Sequence, residues 1–186
     1  EDGRTDRLGH LLAPMGVRYV VVISRLAPSS TTITGQRTPP RSLTAMLAQQ
    51  LDLEEIPVAD GLLVYRNTAA PSARSVLPAR EGDRTEFTDA VADELAGAEP
   101  ALTEDSGAVG AVGEVPAAGD VLVSQTADDD WQLRIDGVPV ARRTDYGWTN
   151  LFTTSRAGSA TLTYQTPVLH RLASMGQVAL WVAVLV

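Results

Sequence analysis

The residues best placed to contact a ligand are aromatic. Trp131, Tyr146, Trp148 and Phe152 fall within 22 positions of one another, and Asp136, Asp145 and Asn150 are interleaved with them. Aromatic faces stack on sugar rings, and carboxylate or carboxamide groups beside them bond hydroxyls. Trp131, Asp136, Asp145, Tyr146, Trp148 and Asn150 are therefore the candidate carbohydrate-binding residues. The alternative, which the common burial of large aromatics favours, is that Trp131 and Trp148 are core residues of a β-sandwich.

Other chemistry finds little support. The two histidines, His10 and His170, are 160 positions apart, so neither belongs to a paired metal-ligand motif. Gly107-Ala-Val-Gly110-Ala-Val-Gly113 resembles a phosphate loop, but no strand precedes it and no helix follows. Glu54-Glu55, Glu104-Asp105 and Asp128-Asp129-Asp130 read as solvated surface acids; adjacent carboxylates do not supply the spaced ligands of a calcium loop. No Gly-x-Ser-x-Gly elbow is present. No catalytic residue, metal site or cofactor is expected.

Composition removes further classes. All 15 basic residues are arginine, and cysteine is absent. Disulfides, cysteine nucleophiles, lysine Schiff bases and a P-loop lysine are thereby excluded. The net charge of -8 disfavours generic nucleic-acid binding. Twelve acids and no base lie between Arg84 and Arg134, so the charge is concentrated in the middle of the chain.

The elements that must position the aromatics follow from periodicity. Leu8, Leu11, Leu12 and Met15 predict a short helix ending near Pro14 or Gly16. The β-branched run Val17–Ile23 predicts a buried strand, and 27–40 a loop. Leu43, Met46, Leu47 and Leu51 predict a helix over 41–52 with Ser42 as N-cap. Asp60-Gly61 predicts a hairpin between 54–59 and 62–66. Residues 1–67 thus form a small α/β lobe. Residues 68–119 read as a connector: a short strand at Val76-Leu77, a helix over 86–97 capped by Thr85, then an acidic Gly/Ala/Pro-rich linker. Residues 120–167 predict a C-terminal antiparallel β-sandwich, jelly-roll-like, with strands near 121–124, 131–135, 138–142, 146–152 and 159–164. The fold class is α+β. The apolar tail within 168–186 predicts the first turns of a transmembrane helix; a buried terminal strand is the alternative.

The order of several short segments resembles the extracytoplasmic region of large actinobacterial multi-pass membrane glycosyltransferases of the family 2 type, distantly YfhO-like. Leu12-Ala-Pro-Met-Gly-Val-Arg-Tyr-Val-Val-Val22 is similar to their leader segment. Leu63-Val-Tyr-Arg-Asn67 with Pro71-Ser-Ala-Arg74 is similar to Val-Tyr-x-Asn…Pro-x-Ala. Asp130-Trp-Gln-Leu-Arg-Ile-Asp-Gly137 resembles a Gly-Trp…Val-Asp-Gly hairpin, with Asp130 in place of glycine. Arg142 to Phe152 resembles a Gly-Trp-x-Asn-x-Phe segment, and Leu162-Thr-Tyr164, Gln177 and Leu180-Trp181 resemble the last strand and the return to the membrane. The resemblance implies a non-catalytic domain on the extracytoplasmic face of the cell membrane. Its partners would be the rest of the parent protein and a cell-envelope glycan. A protein-interaction module without a sugar ligand is the alternative. A stand-alone glycoside hydrolase would instead show a pocket with two carboxylates about 5–10 Å apart.

Overall fold

The computed structural model describes residues 5–23, 39–77, 84–107, 109–166 and 168–185. Most of the loop expected over 27–40 lies outside the described residues.

The N-terminal lobe follows the expected order. Its elements are α1 (Leu8–Leu12), β1 (Tyr19–Ile23), α2 (Arg41–Ala48), β2 (Leu53–Ile56) and β3 (Leu62–Asn67). The strands form an antiparallel sheet in the order β1-β3-β2. Leu47, Leu53 and Tyr65 are its buried core, with Leu8, Val20, Val22 and Leu63 packed around them. α2 is shorter than its periodicity suggests. The Gln50 side chain donates to the carbonyl of Met46 and so closes the last turn. Leu51 therefore lies outside the helix and is exposed. Pro40, not Ser42, occupies the N-cap.

A helix of five residues is too short to persist alone, and α1 has no side-chain cap of its own. Its free amides are satisfied from a distance. Leu8 N donates to Gln50 Oε1 at 2.8 Å, and His10 N to Asp52 Oδ2 at 2.8 Å. The His10 Nδ1 also bonds Asp52 Oδ2, at 2.7 Å. Asn67 Nδ2 donates to the carbonyls of Gly9 and Val17. The approach is close enough that a Cβ on Gly9 would lie 2.5 Å from Asn67 Oδ1 and 2.7 Å from Asp52 Cγ.

Burial alone would push the Asp52 carboxyl upward in pKa. The hydrogen bonds from His10 and from the Gly9 and His10 amides outweigh it, so the value lies below the ordinary one. A carboxylate of lowered pKa stabilises the fold above its unfolded value near ~3.9, and that contribution disappears as pH falls through the folded value. Asp52→Asn is therefore expected to cost about 2 kcal/mol at pH 7, the range for a hydrogen bond to a charged group. The gap between the urea midpoints of wild type and variant should shrink below about pH 4. A gap that is independent of pH would contradict this assignment.

The sandwich is larger than expected. It starts at Arg74 and draws four strands from the region read as connector: β4 (Arg74–Leu77), β5 (Glu99–Pro100), β6 (Glu104–Ser106) and β7 (Gly110–Val115). To these are added β8 (Gly119–Thr126), β9 (Trp131–Ile135), β10 (Val138–Val140), β11 (Arg142–Asp145), β12 (Thr149–Thr154) and β13 (Gly158–Tyr164). One antiparallel sheet has the order β11-β12-β8-β4-β5 and the other β10-β9-β13-β7-β6. Alternation places Val121, Val123 and Phe152 of the first sheet against Leu133, Ile135 and Leu162 of the second. The run 146–152, expected to be extended throughout, begins as a turn, with Tyr146 at φ 50°.

The glycines that make residues 107–113 look like linker have a packing role. β7 pairs with β13 from Ala111 to Val115, and Ala111 and Val115 are buried. A Cβ on Gly113, at φ 144°, would lie 3.0 Å from the backbone of Leu102 and Thr103. Small residues here allow a neighbouring backbone to approach.

The predicted helix over 86–97 is two 3-10 turns, Phe87–Ala92 and Leu95–Gly97. Glu86, not Thr85, caps the first through a reciprocal bond with Asp89. Between the turns Asp93 is extended, and its carboxylate meets Arg84 and Tyr146. Ala90, Leu95 and Ala98 cover the outer face of the first sheet, against Leu77, Leu122 and Leu151.

The C-terminal tail is neither a strand nor confined to the apolar run. It is a helix, α3 (Val168–Leu185), on which Met175, Leu180, Trp181 and Val182 are exposed. Among the described residues no helix is long and apolar enough to cross a membrane.

Candidate functional site

An irregularity in β8 creates the site. Thr149 pairs with Thr126, yet the next residue, Asn150, pairs with Val123. Ser124 and Gln125 are thus left out of register with β12, which is a bulge. Bulged carbonyls need other partners. Asn150 supplies them: its Nδ2 donates to Gln125 O at 3.0 Å and Thr126 O at 3.1 Å. Its Oδ1 accepts from Asp128 N at 3.1 Å and from Arg142 at 3.2 Å. The following loop is pinned as well. Ala127 N donates to Trp148 O, and Trp131 N to Asp128 O.

Beside this bulge lies an open cleft of about 500 Å³. Trp131, Trp148 and Tyr164 form its aromatic wall, and Ser124, Gln125, Thr126 and Asp128 its polar wall. The rings of Trp131 and Tyr164 are 5.1 Å apart and tilted by 60°. The Tyr164 hydroxyl donates to Asp128 Oδ2 at 3.1 Å, and Asp130 N donates to Asp128 Oδ1 at 2.9 Å. The bond to Asp128, burial, and the charges of Asp128 and Asp130 push the Tyr164 hydroxyl above its usual pKa. Ser124 Oγ, Gln125 Oε1 and Trp148 Nε1 are buried without a hydrogen-bond partner among the described residues.

Of the six residues predicted to bind carbohydrate, Trp131 and Trp148 line the cleft. Asn150 is fully buried and serves the site by holding its rim. The other three lie outside the cleft. Asp136, at φ 50°, occupies the tight turn between β9 and β10 and accepts from Ser159 N. Asp145 and Tyr146 are 1% and 0% exposed and belong to a buried ionic cluster. There Arg84 meets Asp93 at 2.9 Å and Asp145 at 3.2 Å, and the Tyr146 hydroxyl donates to Asp93 at 2.6 Å. Burial is the main influence on Asp145 and raises its pKa, opposed by Arg84 and Arg143.

Sequence reasoning missed Ser124, Gln125, Thr126, Asp128 and Tyr164. The signal for Asp128 was present: an acidic triplet immediately before Trp131. The bulge that brings Ser124 and Gln125 to the edge of the cleft leaves no mark in the residue pattern.

A larger groove, about 940 Å³, runs between α1 and α2. Its described lining is aliphatic, hydroxyl and amide with one carboxylate, Asp6, and no aromatic residue. Among the described residues no group of three His, Asp or Glu side chains is placed to hold a metal ion. Among the described residues the cleft lining holds one carboxylate, that of Asp128.

No family model, curated protein or solved structure matches this chain.

Proposed function

We propose that this chain is a non-catalytic glycan-binding domain. In the fuller reading it is the extracytoplasmic domain of a membrane glycosyltransferase of cell-envelope polysaccharide or glycolipid assembly, with the cleft positioning the acceptor. The carrying observation is the cleft itself: two tryptophans and a tyrosine beside hydroxyl, amide and carboxylate groups. Sugars present apolar C–H faces and a rim of hydroxyls, and such a wall meets both. The ordered segments from Leu12 to Phe152 support the assignment to a glycosyltransferase.

The test is a titration of intrinsic tryptophan fluorescence with arabinan and galactan fragments. Trp148→Ala is expected to weaken binding at least about tenfold, equivalent to ~1.4 kcal/mol. Trp148 is half-buried at the cleft, so its loss should leave the sandwich core packed. No spectral change at millimolar sugar would end the glycan reading.

A second reading, a protein-interaction module, is favoured by a different surface. Tyr19, Val21, Ile23 and Leu62 are exposed on one face of the N-terminal sheet. Recovery of a cell-envelope protein that is lost in Val21→Asp, without any sugar binding, would favour that reading.

A further inference from the structure

The polar wall of the cleft has a definite sign, and this bears on which glycans it takes. Asp128 is the only charged residue in the lining among the described residues. Its carboxylate is held from two sides, by the Tyr164 hydroxyl and the Asp130 amide. A carboxylate has roughly four acceptor positions, so about two remain for a ligand. Asp130 follows two positions on and adds to the negative field, whereas the charge of Asp129 is paired with Arg142. The bond to Asp128, burial and the charges of Asp128 and Asp130 likewise raise the pKa of Tyr164 at the aromatic wall.

Among the described residues no cation lines the cleft in return. Arg142, which bonds the rim residue Asn150, is committed to Asp129, Asn150 and Thr144. The remaining lining groups, the Ser124 and Thr126 hydroxyls and the Gln125 amide, are neutral. A ligand hydroxyl can donate to Asp128, whereas a ligand carboxylate, sulfate or phosphate can only repel it.

Resting on the glycan-binding reading, we infer that the cleft selects glycans without anionic substituents, with Asp128 accepting from ligand hydroxyls and rejecting uronate, sulfated and phosphorylated sugars. Asp128 is thereby a specificity-determining residue.

The experiment compares a galactose tetrasaccharide with the galacturonate tetrasaccharide of the same linkage, using the full chain at low salt. The neutral sugar is expected to bind at least about tenfold more tightly, the scale of one like-charge contact near a protein surface. The preference should narrow at high salt, where the Debye length falls to a few ångströms. Asp128→Asn preserves an acceptor for Tyr164. It should bring the two affinities within about threefold by restoring uronate binding, a contact that no longer carries the ~tenfold penalty of like charge. Its urea midpoint monitors folding. Equal affinities for the two sugars in wild type, or an unchanged preference in a folded Asp128→Asn, would overturn this inference and leave glycan binding intact. Failure of both sugars to bind would overturn the glycan reading itself, and the inference with it.

Discussion

Arg84→Ala is expected to lower the unfolding free energy by about 3–5 kcal/mol, the cost of leaving buried charge without its partner. The guanidinium is 6% exposed and faces Asp93 at 2.9 Å, Asp145 at 3.2 Å and Asp120 at 4.0 Å. It also lies 5.5 Å from the centre of the Tyr146 ring. Arg143, at 3.3 Å from Asp120, is the second cation of the cluster. Without Arg84, the buried carboxylates of Asp93 and Asp145 would lose the guanidinium they share. The cluster joins residues 84–98 to β8 and β11, so its loss should release the cover over Leu122 and Leu151.

The pH dependence of that variant has a definite sign. Burial already raises the folded pKa of Asp145, and Arg84 is the first influence opposing the rise. Removing Arg84 pushes the value higher. A carboxyl whose folded pKa exceeds its unfolded one loses stability as pH rises through the folded value. Arg84→Ala should therefore recover part of its deficit as pH falls from 7 towards the ordinary carboxylate value of about 3.9, read as a rising urea midpoint relative to wild type. Arg84→Lys keeps the charge but not the fork that reaches two carboxylates, so its midpoint should fall between the two. An Arg84→Ala midpoint equal to wild type at pH 7 would show that the cluster does not hold the sheet and its cover together.

How far the sequence discloses this architecture depends on the strand. In β9 the alternation of Trp131, Leu133 and Ile135 with Gln132 and Arg134 is complete, and the pairing with β13 follows it. In β7 the same inward positions are filled by Ala111, Gly113 and Val115, which show little hydrophobic contrast. Gly113 is there because the backbone of Leu102 is 3.0 Å from where its Cβ would be. Such a requirement is a property of the neighbour, which is invisible locally. The candidate site divides the same way. Trp131 and Trp148 stand out by residue type. Asn150 could not be placed at the rim because the β8 bulge shifts the register by two residues just where it pairs, and Asp145 and Tyr146 could not be placed in the cluster because their partners Arg84 and Asp93 are more than fifty positions away. His10 is clearer only after folding, since its partner Asp52 is 42 positions away and lies in a turn with no periodic signal.

Asn150→Ala gives the second large effect, and it separates the rim from the wall. Asn150 is 0% exposed and makes four hydrogen bonds, three of them to backbone groups of residues 125–128. Alanine would leave the Gln125 and Thr126 carbonyls and the Asp128 amide without their partner inside a partly buried bulge. At about 1–3 kcal/mol for each group so stranded, with water relieving some of them at the surface, the expected loss is roughly 3–4 kcal/mol. The loop should then relax, carrying Asp128 and the Trp148 carbonyl contact with it, so glycan affinity falls although Asn150 itself does not line the cleft. Trp148→Ala should show the reverse balance, with a large loss of affinity and a small loss of stability. Asn150→Asp is the discriminating control. It retains the acceptor for Asp128 N and Arg142 but replaces two donors with a carboxylate facing two carbonyls, so it should be at least as unstable as the alanine variant. Urea midpoints and tryptophan titrations on the three variants check the scheme. A stable Asn150→Ala that still binds sugar would mean that the bulge holds its shape without the carboxamide.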